Sequence, residues 1–506
     1  MIRRYLIIAL LALSAACTDR DFEDVNRSPN QITDARPLFL LNTTLKSTYQ
    51  SSYSFDFKVA GSWAHQTVRL DIPPDRYESF GTELTNMWDD VYGRSRNLND
   101  VLERTENAET YEDQAVRALA LIGKVVGFSR LTDSYGDIPY FKAGVLEDGE
   151  LIAYTPYDSQ EEIYKDMIAK LKEAITLLED KNTLDMTGAD RLYEGNLGDW
   201  QRFANSLLLR LGMRMSYVDE SLAASTVSEA LARNLIDSDE QSAYWENTVD
   251  IGYWNNYFSD LESGTRAHVA ALLVDYLKDN NDPRVATFAN PVMEGEFAGE
   301  FRGLFNGVQS VSNDNAFSYV GSYTYQKWVP SPVLLYSEVC FLKAEAYLKG
   351  VGVAKNEDMA NDWYRKGVES SLRYWSFEWI DEGAREGMET PYSEADITAF
   401  MASPIATLTG AEDEKYQQIM EQKWVSLVNN YSESYAEVRR TGYPVIEKRV
   451  SSKDGFDYYL GDTDGVMPRR VQYPVKQGTL NEENYLKAVQ ATDNNSLLYK
   501  VWWDAR

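Results

Sequence analysis

Aromatic and polar residues stand close together in two loop-like stretches of this 506-residue sequence, and that combination can bind sugars. An indole or phenol ring can cover the apolar face of a sugar, while amide and guanidinium groups hydrogen-bond its hydroxyls. The candidate ligand-binding residues in these stretches are Trp63, His65, Arg76, Tyr77, Trp245, Tyr253, Trp254, Asn255 and Tyr257. The alternative is that these rings only pack the loops onto a scaffold.

Signals of catalysis are scarce. The chain has two histidines, His65 and His268, which excludes a histidine-rich metal site, and it contains no H-E-x-x-H, G-x-S-x-G or P-loop pattern. A glycosidase needs two placed carboxylates, but 79 acidic residues make such pairs too common to be informative. We therefore expect a binding protein that is not an enzyme and has no cofactor or metal.

Cys17 stands at the junction between an apolar and a polar segment. A positively charged start, an apolar run over residues 5–13 and three small residues precede it, which is the layout of a secretory signal. The cysteine after small residues resembles a bacterial lipobox. We expect a signal peptide over 1–16, lipidation of Cys17 and a flexible tether over 17–37. The alternative is ordinary signal cleavage next to an incidental cysteine.

The composition fits an exported protein with a large core. The formal net charge is −29, so we expect no nucleic-acid partner, because phosphate binding requires clustered positive charge. Apolar residues make up 44% of the chain, which suffices for a large core. Once Cys17 is used, Cys340 has no partner, and its apolar surroundings predict a buried, inert thiol.

Apolar residues that recur every three or four positions predict a mainly helical fold. The six clearest stripes span 115–128, 164–178, 200–215, 335–346, 360–375 and 420–431. Ser159 and Glu162 are spaced as a capping box, and Ser331 with Pro332 predicts another helix start. The helices tend to come in pairs, which suggests stacked hairpins of the tetratricopeptide type.

The organisation around these helices predicts one folded domain over 38–506. Its helical scaffold carries an irregular insertion at about 236–330 and an irregular carboxyl-terminal part at about 450–506. Alternation around Gly321-Ser322 predicts a β-hairpin within the insertion. The expected fold class is therefore mainly α, with helical hairpins bearing a loop-rich, partly β ligand-binding face.

Several segments, taken in order, resemble the SusD/RagB family of nutrient-binding outer-membrane lipoproteins. Above all they resemble the branch with the "FANS" helix and the "RRTGYP" segment. The segments are "DFEDVNRSPNQIT", "RALALIGKVVGFSRLTDSYGDIPY", "WQRFANSLLLRLGMRMS", "NNDPRVATFANP", "LLYSEVCFLKAEAYLKG", "YAEVRRTGYPVI" and "MPRRVQYP…LNEENYLKAV". The resemblance runs from Cys17 to "KVWWD" near the end.

The resemblance implies four tetratricopeptide-like hairpins and a lipid anchor in the outer membrane, facing the cell exterior. It also implies a SusC-like TonB-dependent transporter as partner, with an oligosaccharide or a peptide as the captured ligand. Ligand residues are not fixed by these motifs. Two other classes stay open: a helical-repeat scaffold lipoprotein that binds only protein, and an enzyme acting on glycans.

Replacing Cys17 with Ser should release the protein from membranes or leave the signal uncleaved, because the acylated thiol is lost. Membrane fractionation and mass spectrometry of the mature amino terminus measure this. An unmodified mature chain that starts at another residue would contradict the lipidation.

Overall fold

Helices dominate the part of the chain that the structure, a computed structural model, describes. That part comprises residues 36–506 except 51, 81–85, 148–149, 153, 187, 251, 253 and 264–266, so the predicted signal, Cys17 and nearly all of the tether lie outside it. The α-helices are α1 Pro37–Tyr49, α2 Pro73–Arg76, α3 Asn86–Arg104, α4 Tyr111–Tyr135, α5 Gln160–Leu177, α6 Leu197–Arg214, α7 Glu220–Leu231, α8 Phe258–Glu262, α9 Ala271–Asp279, α10 Val285–Phe288, α11 Tyr336–Lys349, α12 Glu357–Ser376, α13 Glu394–Met401, α14 Glu412–Ser426, α15 Tyr431–Thr441, α16 Gln477–Leu480 and α17 Glu482–Ala491. A π-helix spans Tyr53–Gly61.

Consecutive helices pack against each other through the faces that the apolar stripes predict. The most extensive contacts are between α4 and α5, between α6 and α7, and between α11 and α12. In addition, α3 packs on α4, and α14 packs on α11. Helix α4 is buried over most of its length, as its wide apolar face requires. The mainly helical fold class is therefore confirmed.

The strands form short two-stranded ribbons. They are β1 Thr67–Val68, β2 Leu146–Glu147, β3 Glu150–Leu151, β4 Ala243–Trp245, β5 His268–Val269, β6 Ser331–Leu334, β7 Ser452–Lys453 and β8 Phe456–Asp457. Pairing is antiparallel between β1 and β5, β2 and β3, β4 and β6, and β7 and β8. In the ribbon β4–β6, Tyr244 lies opposite Pro332. A proline has no backbone N–H to donate, but a two-stranded ribbon tolerates it because both strands are edge strands.

Three local predictions are wrong. Ser331 and Pro332 do not start a helix: they lie in β6, and α11 begins only at Tyr336. The segment around Gly321 forms a 3-10 turn over Ser322–Thr324 instead of a hairpin. The last apolar stripe, 420–431, spans two helices rather than one. Asn429, with a positive φ of 66°, lies between α14 and α15 and interrupts the helical conformation.

Two other local predictions are confirmed. Ser159 caps α5, since its hydroxyl accepts a hydrogen bond from the backbone N–H of Glu162. Cys340 is a free and fully buried thiol, and burial raises its pKa to about 12. A thiol with such a pKa stays protonated and unreactive at neutral pH.

Buried ion pairs join the helices at the centre of the molecule. Arg214 on α6 reaches Asp133 on α4 at 3.2 Å and Glu437 on α15 at 3.3 Å. Glu437 also binds Lys423 on α14 at 2.8 Å. Arg440 binds the same Glu437 at 2.7 Å.

The same group of charges extends to α11. Arg440 binds Glu345 at 2.7 Å, and Arg210 on α6 binds Glu338 at 2.7 Å. We call the whole set the ionic core; its members are Asp133, Arg210, Arg214, Glu338, Glu345, Lys423, Glu433, Glu437 and Arg440. Nearly all of these side chains are inaccessible to water, so each charge depends on its partners.

None of the helices in the described ranges combines the length and the apolar character that crossing a bilayer would require.

Glu437→Gln should lower the free energy of unfolding by about 3–5 kcal/mol at pH 7, because it leaves buried cations without their partner. Burial alone would raise the pKa of Glu437, but the charges of Arg440, Lys423 and Arg214 outweigh burial and hold that pKa well below its ordinary value. The carboxylate therefore stabilises the fold above its unfolded pKa, and this contribution disappears as the pH falls through the lower, folded pKa.

Urea unfolding at about pH 7 and about pH 4 measures this effect, and the difference between the wild type and Glu437→Gln should narrow at the lower pH. Glu483→Gln is the matched control, since Glu483 pairs with Lys487 at 2.7 Å on the exposed face of α17. A Glu437→Gln variant as stable as this control would contradict the role of the ionic core.

Candidate functional site

An open cleft of about 380 Å³ lies between strand β4 and the carboxyl-terminal end of α12. Aromatic and acidic side chains line it together, and we call it the aromatic cleft. The lining residues are Asp239, Glu240, Tyr244, Arg373, Tyr374, Ser376, Glu378 and Trp379. An apolar floor with polar groups at its edge is the usual construction of a sugar-binding site.

The turn that ends α12 places a tryptophan over the helix. Phe377 takes a left-handed conformation with φ 58°, which terminates the helix and turns the chain. Such a conformation is unfavourable for a bulky side chain, but the Phe377 ring is fully buried and packs edge-on against Trp328 at 5.1 Å. Packing of Phe377 therefore fixes the turn that carries Glu378 and Trp379.

Trp379 forms an aromatic platform with two tyrosines. Its ring lies 5.7 Å from Tyr374 at an interplanar angle of 28° and 5.3 Å from Tyr244. Its indole N–H donates to the backbone oxygen of Tyr374 at 3.0 Å, which fixes the ring orientation. Trp379 is nevertheless 44% exposed, so the platform is rigid and open to a ligand.

Strand alternation directs Tyr244 to the cleft. Ala243 and Trp245 are buried on one side of β4, and Tyr244, half-buried, lies on the other. Burial, together with the charges of Glu246 and Glu240, raises the pKa of Tyr244 to about 12. The Tyr244 hydroxyl therefore stays protonated at neutral pH and can act as both donor and acceptor.

Acidic groups dominate the rim of the aromatic cleft. Glu240 and Glu378 are exposed, and Asp239 accepts a short hydrogen bond from Ser370. Burial raises the pKa of Asp239, although the hydrogen bond from Ser370 opposes that shift. Arg373 is the one positively charged residue of the lining.

The first predicted group, residues 63–77, lies away from this cleft beside α15. Trp63 is fully buried against Tyr435 at 5.2 Å, and its indole N–H donates to Pro74. Tyr77 is buried beneath the Arg449 guanidinium, which lies 3.4 Å from its ring centroid. These two rings therefore pack a loop onto the scaffold.

His65 and Arg76 are only partly buried. His65 hydrogen-bonds the Tyr77 hydroxyl at 2.8 Å and lines a separate cavity of about 210 Å³. Burial, together with the charge of Arg449, lowers the His65 pKa to about 3, so the imidazole is neutral. Arg76 stacks on Tyr459 at 4.8 Å.

The second predicted group divides in the same way. Trp245, Asn255 and Tyr257 are buried, and Asn255 donates to the backbone oxygen of Val329 at 3.2 Å. Trp254 is partly exposed beside Lys327, whose ammonium lies 5.4 Å from the ring centroid. Tyr253 lies outside the described residues.

Sequence reasoning missed Tyr374 and Trp379. Tyr374 belongs to a helix whose apolar stripe predicts core packing, and Trp379 follows Trp375 by four residues, which continues that stripe. A usable signal is present in "SFEWIDEG", where the tryptophan stands among acidic residues and a glycine. Such surroundings are typical of an exposed turn rather than a helix interior.

Among the described residues, no group of three or more histidine, cysteine, aspartate or glutamate side chains is arranged to hold a metal ion.

Comparison with protein families gives a match to the SusD-like model described as "Starch-binding associating with outer membrane", over residues 29–474. Among solved structures, a chitin-binding protein is 28% identical with a TM-score of 0.78, over 93% of this chain and 100% of that one. A chitin-binding SusD homologue from Flavobacterium johnsoniae is 22% identical with a TM-score of 0.75, over 92% and 98%.

A SusD homologue from Bacteroides vulgatus is 23% identical with a TM-score of 0.76, over 92% of this chain and 97% of that one. No curated protein matches the sequence.

Trp63→Ala should cost about 3–5 kcal/mol of unfolding free energy, whereas Trp379→Ala should leave the stability almost unchanged. The reason is that Trp63 is fully buried and Trp379 is a partly exposed surface ring. Urea unfolding of both variants measures the difference. Equal losses would show that Trp379 belongs to the core.

Proposed function

This chain belongs to the SusD-like family, and we propose that it captures oligosaccharides at the cell surface and delivers them to a SusC-like TonB-dependent transporter. The observation that carries the proposal is the aromatic cleft, which offers an exposed, fixed indole among polar groups. The anchor would be the lipidated Cys17 in the outer membrane, followed by the tether. The role is one of binding without catalysis.

The rigidity of the platform supports this role. A ring that is already held by a hydrogen bond loses little side-chain entropy when a sugar stacks on it. The free energy of binding is therefore not reduced by the cost of ordering that side chain. The exposed Trp379 ring can cover the apolar face of a sugar unit, and the partly exposed Tyr244 can hydrogen-bond its hydroxyls. An open cleft also leaves both ends of a longer chain free.

Delivery sets the expected strength of binding. A protein that passes its ligand on needs rapid dissociation, so dissociation constants of about micromolar to millimolar are expected. Much tighter binding would slow transfer to the transporter.

Titration calorimetry with soluble starch and chitin oligomers tests the proposal. Trp379→Ala should weaken binding at least about tenfold, since stacking on one aromatic ring contributes on the order of 1 kcal/mol beyond its buried area. Trp363→Ala is the matched control: Trp363 lies on α12, the helix that precedes the turn with Trp379, and its partly exposed ring is covered by Lys343 at 3.4 Å and Lys366 at 4.3 Å. Trp254→Ala reports whether the predicted second group contributes.

Three outcomes would contradict the proposal. Binding that is unchanged by Trp379→Ala would remove the aromatic cleft from ligand recognition. Products released from the oligomers, with loss of turnover on mutation of one carboxylate, would show an enzyme. Co-purification with other membrane proteins but no heat from any oligomer would favour the scaffold lipoprotein.

A further inference from the structure

We propose that the aromatic cleft selects a sugar unit that carries a protonated amino group, such as glucosamine within a partly deacetylated chitin chain. This inference rests on the proposed function, because it takes for granted that the cleft binds a glycan. What it adds to that function is a preference for a positively charged ligand.

The lining of the aromatic cleft contains more acidic than basic residues. Asp239, Glu240 and Glu378 contribute carboxyl groups to the lining, and neither Glu240 nor Glu378 has an ion-pair partner among the described residues. The lining thus offers two exposed carboxylates without a cation beside them, although Ser238 hydrogen-bonds Glu240. An ammonium group in the cleft would be attracted to both charges.

The one cation of the lining is already neutralised. Arg373 binds Glu369 at 3.0 Å and Glu394 at 2.7 Å, so two carboxylates outside the cleft compensate its charge. Hydrogen bonds from Arg373 to Glu394 and Glu369 also raise its pKa, although burial opposes the shift. The Arg373 guanidinium is therefore unavailable for an acidic sugar, and the cleft is negative overall.

The rings add a second attraction for a cation. The face of each aromatic ring carries partial negative charge, and an ammonium within about 6 Å of the ring centre is attracted to it. Tyr244, Tyr374 and Trp379 all line the cleft, and Trp379 has the most exposed ring of the three. A neutral sugar can stack here too, but only the protonated amine uses both the rings and the carboxylates.

The negative charge of the cleft also predicts which sugars bind weakly. A uronic acid or sulfated sugar would place a further negative charge near Glu240 and Glu378, and Arg373, the cation of the lining, is already paired. N-acetylglucosamine keeps the stacking but lacks the charge, so it should bind with intermediate strength.

The experiment compares three oligosaccharides of equal length: glucosamine, N-acetylglucosamine and galacturonic acid oligomers. Calorimetry on the mature wild-type protein at about pH 5.5 and low salt should give roughly 3- to 30-fold tighter binding for glucosamine than for N-acetylglucosamine. Galacturonate should bind weakest. The preference should decline with added salt, which screens exposed charges, and as the pH rises and the amine loses its proton.

Variants separate charge selection from sugar binding. The double variant Glu240→Gln with Glu378→Gln should remove the preference for glucosamine, so that the ratio of its affinity to that of N-acetylglucosamine falls to about one. Glu382→Gln, an exposed acid just beyond the cleft, is the matched control and should retain the preference. Trp379→Ala should weaken both ligands.

Each result decides one of the two claims. Equal affinity for glucosamine and N-acetylglucosamine, both lost in Trp379→Ala, would overturn amine selection and leave glycan capture standing. Tighter binding of galacturonate, or a preference that survives the double variant, would also overturn amine selection. Failure of all three oligomers and of starch would overturn both claims. Equally tight binding of a lysine-rich peptide would show that the cleft recognises amines without a sugar.

Discussion

The ionic core is the constraint on which the rest of the structure depends. Charges this deep in a protein are expensive to bury, so they persist only when every partner is in place. Asp133, Arg214, Glu437 and Glu345 come from four different helices, and their contacts are satisfied only when those helices pack in one arrangement. The ionic core therefore specifies how the helical pairs join, while apolar burial supplies most of the stability.

The irregular segments are held to the helices by the same kind of interaction. Arg284, fully buried, donates to Ser371 on α12 at 2.8 Å and to Gln422 on α14 at 2.6 Å, which ties part of the insertion to two helices. At the carboxyl end, the Trp503 indole donates to Asp133 at 2.7 Å. Loops that lack regular structure thus gain fixed positions from a few buried polar contacts.

The aromatic cleft uses this rigidity at the surface. Phe377, buried in the core, fixes the turn after α12, and the turn fixes the position of Trp379. Tyr244 reaches the same cleft from strand β4, more than a hundred residues earlier in the chain. The exposed residues of the cleft make few contacts with the scaffold, whereas the scaffold beneath them is held by the ionic core. The rim can therefore vary without changing the fold.

The sequence by itself determined the helical class, most helix positions and the family. The reason is physical: apolar periodicity is local, and the quoted segments contain the buried charges, including Arg214, Glu345 and Arg440, that the scaffold requires. It could not rank the aromatic residues, because Trp63 and Trp245 also stand in loop-like stretches with polar neighbours and are nevertheless buried. Burial of Trp63 and Trp245 and exposure of Trp379 are set by contacts between distant segments. Only the tertiary structure brings Tyr244 beside Trp379, since that contact depends on how β4 lies against the end of α12.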